Sequence, residues 1–116
     1  MDTKKFGAFA EKYASSLLEK AGYKIIERNF RTKYSEIDII ATHENCLIFI
    51  EVKARRNIKF GSPEEAVNTN KLRKIKRAGE LYALTHPKLP RKMRVDVVSL
   101  LFDNEKSVSE KIIKVF

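Results

Sequence analysis

At 116 residues the chain is long enough for one hydrophobic core and short for two ordinary domains, and it carries a net charge of +9. No apolar run approaches the roughly 18 to 20 residues of a membrane span, and the first residues hold lysines without an apolar segment and cleavage site behind them. A single cysteine, Cys46, excludes an internal disulfide and offers no zinc-ligand spacing, so the expectation is a cytoplasmic, membrane-free protein in which Cys46 is a small apolar side chain.

From Lys4 to Ala21 the apolar residues Phe6, Ala10, Tyr13, Ala14, Leu17, Leu18 and Ala21 recur at three- and four-residue intervals, and Gly22 follows as a stop, which predicts an amphipathic helix. Three runs rich in strand formers come next, Tyr23 to Phe30, Glu36 to Thr42 and Leu47 to Ala54. Only His43 to Cys46 separates the last two, so they form an antiparallel hairpin. Ser62, Pro63 and Glu65 have the spacing of a helix start, and Asn70 to Thr85 places Leu72, Ile75, Ala78, Leu81 and Tyr82 along one side of a second helix. Pro87 and Pro90 end it; Met93 to Leu101 reads as a strand, Asp103 to Glu110 as a polar turn, and Ile112 to Phe116 as a short final strand. The expected architecture is a single α/β domain, a mixed sheet flanked by helices in the order αβββαβ, with strand order left open.

Chemistry concentrates on the hairpin. Side chains alternate along a strand, so Leu47, Phe49, Glu51 and Lys53 share one face, while Asp38 stands among isoleucines with Glu36 and Ile40 on its side and Ile37 and Ile39 on the other. If Thr42 lies opposite Leu47, then Ile40 meets Phe49, Asp38 meets Glu51 and Glu36 meets Lys53. Directly opposed side chains have Cβ atoms about 4.5 to 5.5 Å apart, a spacing at which two carboxylates repel unless a cation stands between them. Oxygen ligands without histidine or cysteine select a hard ion, Mg²⁺ or Mn²⁺, and Lys53 on the same face can position a water or offset developing charge. That combination suits phosphodiester hydrolysis. The competing reading makes Glu36 and Lys53 a surface ion pair and leaves Glu51 solvated at a strand end, and a slip of one residue in register would turn Asp38 to the other face.

Ile37-Asp38 followed by Glu51-Val52-Lys53 resembles the signature of the PD-(D/E)XK nuclease superfamily, with isoleucine where that motif has proline. Over nearly the full length, the pattern of Gly7, Ala10-Glu11, Gly22-Tyr23, Arg28-Asn29-Phe30-Arg31, Glu36 to Ile40, Phe49 to Lys53, Gly61-Ser62-Pro63, Glu65-Ala66-Val67, Lys71 and Arg94 to Val98 is similar to the YraN-like family of small bacterial proteins, usually grouped near archaeal Holliday junction resolvases. Ser35 stands where these families usually have glycine. The resemblance implies a restriction-endonuclease-like core, metal ligation by Asp38, Glu51 and Glu11 on the first helix, catalysis by Lys53, and a symmetric dimer. Taken alone, Glu11 reads as an ordinary solvent-facing glutamate of that helix.

Residues 1–50 carry eight Lys/Arg against seven Asp/Glu, whereas residues 51–116 carry sixteen against eight. The basic half attracts a polyanion, with nucleic acid the foremost partner. Arg55, Arg56 and Lys59 follow the Glu51-Lys53 strand, and Lys71 and Lys74 begin the second helix; each is a candidate phosphate contact, with a solvated charge as the plainer reading of any one alone. The expected function is a metal-dependent endonuclease acting on DNA, branched DNA in repair or recombination by analogy with the resolvases; the alternative is a nuclease-fold nucleic-acid-binding module or repair accessory with little catalysis.

Overall fold

The computed structural model describes residues 2–57, 59, 61–63, 67–104 and 106–115. Helix α1 spans Thr3–Lys20, begins at Asp2, whose side chain accepts the Lys5 N–H at 2.8 Å, and ends before Gly22, which takes φ +94°. That left-handed conformation is open to glycine at little cost, and it turns the chain into the sheet. Strands β1 (Lys24–Arg31), β2 (Glu36–His43) and β3 (Cys46–Arg55) follow, then α2 (Thr69–Leu84), β4 (Met93–Asp103) and β5 (Lys106–Lys114).

The five strands lie in sequence order, β1-β2-β3-β4-β5. β3 and β4 are parallel, joined by the crossover through α2, and the other pairs are antiparallel, so the sheet is mixed as expected. The β2–β3 turn is tight: His43 pairs with Cys46, and Glu44 and Asn45 both take positive φ, 50° and 60°, as a two-residue hairpin whose twist matches its strands requires. The C-terminal region differs from expectation. Residues read as a polar turn from Asp103 to Glu110 form most of β5, because the turn closes within Asp103 to Lys106 and the alternating polar side chains occupy an exposed edge strand, where apolar periodicity is weak. The helix start expected at Ser62 falls largely on residues 64–66, outside the described residues.

Two apolar layers sandwich the sheet. Ala10, Ala14 and Leu18 of α1 pack with Ile39, Ala41, Ile48, Ile50, Val98 and Leu100, while Leu72, Ile75, Ala78 and Tyr82 of α2 pack on the opposite face with Ile37, Ile40, Leu47, Phe49, Val95 and Val97. Gly79 sets the depth of α2, since a Cβ there would stand 2.3 Å from the Phe49 ring. On the α1 layer Asp96 is fully buried, held by Arg94 through two contacts of 2.7 and 3.0 Å and by the Tyr23 hydroxyl at 2.7 Å. Burial, then Asp96, pushes the Tyr23 hydroxyl up to about 12, and the buried charge has its partners.

Candidate active site

The site arises where β2 parts from β3. Their paired register includes Thr42 with Leu47 and Ile40 with Phe49, as the hairpin count expects, and stops at Ile39 with Ile50. β2 continues to pair with β1 as far as Glu36. In the notch that opens, the Asp38 carboxylate reaches across and accepts the Val52 N–H at 2.8 Å, satisfying a strand donor with a side chain. The departure also interrupts alternation: Ile37 and Ile40 pack in the α2 layer and Ile39 in the α1 layer, so Ile37 and Ile39 do not share a face. Asn29, in register with Asp38 between the Arg28–Ile39 and Phe30–Ile37 pairs, takes φ +54° at the same place.

Asp38 and Glu51 adjoin although the β2–β3 ladder ends at Ile39 and Ile50, before the position at which the hairpin count opposes them. Burial, then the neighbouring Glu51 carboxylate, holds the Asp38 carboxyl far above the usual carboxylate range, against the pull of the Val52 N–H; Glu11 adds a smaller push in the same direction. Glu51 is 4% exposed, and its Oε2 has no hydrogen-bond partner. Two ammonium groups approach that oxygen, Lys53 Nζ at 3.6 Å and Lys71 Nζ of α2 at 3.7 Å. Glu36 does not meet Lys53; it pairs with Arg31 at 3.1 Å, because the β2–β3 ladder has ended before reaching it.

Glu11 joins this end from α1. Its carboxyl is raised by burial, then by Glu36 and Glu51, with Arg28 opposing. It therefore senses the same field as the pair without closing a three-ligand group: among the described residues no three His, Cys, Asp or Glu side chains stand close enough to hold an ion as they are. A cation nevertheless fits the donor chemistry of the pair. Two adjoining carboxylates, one with a buried oxygen that accepts no hydrogen bond, present the oxygen donors that a hard ion uses when it keeps waters in its remaining positions.

The basic residues divide. Lys71 turns inward to Glu51, while Lys74 is exposed on α2. Arg56 packs its guanidinium 4.5 Å from the Phe6 ring centroid and donates to the Asp2 carbonyl at 3.0 Å, so it ties β3 to the start of α1. Arg55 Nε is buried without a hydrogen-bond partner, and Lys59 is exposed, its backbone N–H donating to Asn57 Oδ1 at 2.9 Å. Sequence reasoning gave no individual role to Asn29 or Arg28; an asparagine inside a run of strand formers, where no turn is needed, was the available signal. Ser35 has no left-handed backbone, and its backbone N–H donates to Thr32 Oγ1 at 3.3 Å.

Residues 10–100 match the model of the uncharacterised protein family UPF0102. The chain belongs to UPF0102, the YraN-like family. It is 42% identical over 113 residues to the UPF0102 protein of Syntrophomonas wolfei, covering 97% of this chain and 98% of that one. It is 43% identical over 101 residues to that of Dictyoglomus thermophilum, covering 87% and 86%, and 46% identical over 94 residues to that of Cytophaga hutchinsonii, covering 81% and 82%. Every site residue named above lies within the matched span. No described helix of this UPF0102 chain is long and apolar enough to cross a membrane.

Proposed function

We propose that this UPF0102 protein is a Mg²⁺- or Mn²⁺-dependent endonuclease of the PD-(D/E)XK kind, with a restriction-endonuclease-like core, hydrolysing phosphodiester bonds in DNA. The observation that carries the reading is the adjoining of Asp38 with the buried carboxylate of Glu51, whose Oε2 accepts no hydrogen bond and has the Lys53 and Lys71 ammonium groups at 3.6 and 3.7 Å. Asp38 and Glu51 would hold the ion, and Glu11 would stand in the outer ring. When bound, the ion supplies Lewis-acid polarisation of the phosphodiester and activation of water. The chain supplies the rest. Val52 N–H fixes the Asp38 carboxylate at 2.8 Å, and the Lys53 ammonium, on a half-buried stem beside Glu51, orients the attacking water or meets the charge that develops on the phosphate. Lys71, within 4 Å of the same oxygen, is released toward a phosphate once Glu51 is engaged elsewhere.

A second reading, a nuclease-fold nucleic-acid-binding module, is favoured by one observation: Lys53 and Lys71 together already neutralise Glu51 without an ion. Cleavage of linear, single-stranded, flapped and four-way DNA with Mg²⁺ or Mn²⁺ separates the two. Activity lost in Asp38→Ala, Glu51→Ala and Lys53→Ala supports the nuclease; wild-type binding without cleavage supports the module, and cleavage that survives all three substitutions removes this site from the chemistry.

A further inference from the structure

Asn29 bridges two outer carboxylates of the site, Glu11 and Glu36. It lies on β1, in register with Asp38, and takes φ +54°, a left-handed conformation that breaks the alternation of the strand. With its amide nitrogen turned toward α1 and β2, it donates to Glu11 Oε1 and to Glu36 Oε1, each at 3.1 Å. The opposite orientation would set the amide oxygen against two carboxylates. A primary amide has two N–H groups, so each carboxylate receives one, and Asn29 adds no charge of its own. Asparagine is also among the few side-chain-bearing residues that accept the left-handed region readily.

We infer that Asn29 is a positioning residue, which fixes the Glu11 carboxylate of α1 at the same end of the sheet as the Asp38–Glu51 pair, in the outer ring of that acidic site. This inference rests on the cation reading given above and adds to it a determinant on a third element. Glu36 is held at its other oxygen by Arg31 Nε at 3.1 Å, a pair that faces solvent on the arginine side. Arg28, one residue before Asn29, opposes the upward push on the Glu11 carboxyl. Without the bridge, Glu11 is a helical glutamate repelled by Glu36 and Glu51, free to turn to solvent. Partners that orient metal-site groups typically contribute about 10- to 100-fold to affinity or activity.

The test is direct Mn²⁺ binding to the full chain, read from the paramagnetic signal of the free ion, together with the melting temperature without metal. Asn29→Gly keeps the left-handed backbone and deletes the amide. We expect Asn29→Gly to bind Mn²⁺ about 10- to 100-fold more weakly than wild type while melting close to wild type. Glu11→Gln should show a comparable loss, and Asn29→Gly combined with Glu11→Gln should bind no more weakly than Glu11→Gln alone. Wild-type affinity in Asn29→Gly, or losses that add in full with Glu11→Gln, overturns the positioning role while Glu51→Gln still abolishes binding. A wild-type chain that binds no Mn²⁺, or binds it as well after Glu51→Gln, overturns the cation reading and this inference with it.

Discussion

Asp38 is placed where a proton and a cation compete. Its carboxyl is raised from 3.8 to about 8 by burial and by Glu51, so the native chain holds a proton there that the unfolded chain gives up near pH 4. Across that window the folded state binds more protons than the unfolded one. Metal-free stability contributed by this group is therefore complete below about pH 4 and is lost as pH rises through about 8. Urea unfolding from pH 4 to 9 should show this decline, and Asp38→Asn should flatten it; an unchanged slope in the variant would separate Asp38 from the effect. Lys53 makes a different prediction. Its ammonium stands 3.6 Å from Glu51 Oε2 and competes with a cation for that oxygen. Lys53→Met should lower cleavage by about 100-fold or more while leaving Mn²⁺ affinity equal to or tighter than wild type, measured by titration calorimetry. A parallel fall in both would make Lys53 a structural neighbour of the site. At this scale the sequence was informative about Asp38, Glu51 and Lys53, because a charge among isoleucines and an acid-basic alternation on one strand stand out against apolar neighbours. It was silent on the bridge through Asn29 and on the burial of Asp96, because each depends on partners distant in sequence, Glu11 and Tyr23.

The elements were legible where one face is buried and the other is not. α1, α2, the hairpin and β4 follow their apolar periods to within a few residues, and the hairpin register from Thr42–Leu47 to Ile40–Phe49 stands as counted. Beyond Ile39 the count fails, since it assumes a ladder that continues, and the divergence of β2 from β3 is what creates the notch for Asp38. β5 was mostly hidden because an edge strand with a polar outer face carries the composition of a loop. Packing between elements has one constraint that periodicity does not reveal, the contact of Gly79 with Phe49. A methyl group would meet the ring at 2.3 Å, so α2 would have to lift from the sheet, carrying Lys71 away from Glu51. Alanine is about 1 kcal/mol better than glycine in a helix interior, yet overpacking costs about 1 to 3 kcal/mol. Gly79→Ala should therefore leave helix content intact and still lower stability, by up to about 2 kcal/mol in denaturant unfolding. A stabilised variant would mean that α2 and Phe49 adjust freely.

For the whole molecule the charge asymmetry becomes a geometric one. Acidic groups from α1, β2 and β3 gather at the notch, whereas the second half of the chain supplies sixteen Lys/Arg, of which Arg73, Lys74 and Arg77 lie exposed on α2, the helix that also sends Lys71 to Glu51. A polyanion drawn to α2 is thereby delivered beside the carboxylates, and its phosphates take the place of counterions. Binding to DNA with metal chelated should weaken steeply with salt. If Lys74 and Arg77 each meet one phosphate, the double variant Lys74→Gln, Arg77→Gln should reduce the slope of log affinity against log salt by about 1.8 for duplex DNA, seen by fluorescence anisotropy over a range of sodium chloride. Asp38→Asn should leave that slope unchanged, because it alters the notch and not the basic face. Equal slopes in wild type and the double variant would instead make α2 a solvated surface, and would move the nucleic-acid contact to another part of the basic half such as Lys88 to Arg94, which approaches the sheet from the start of β4.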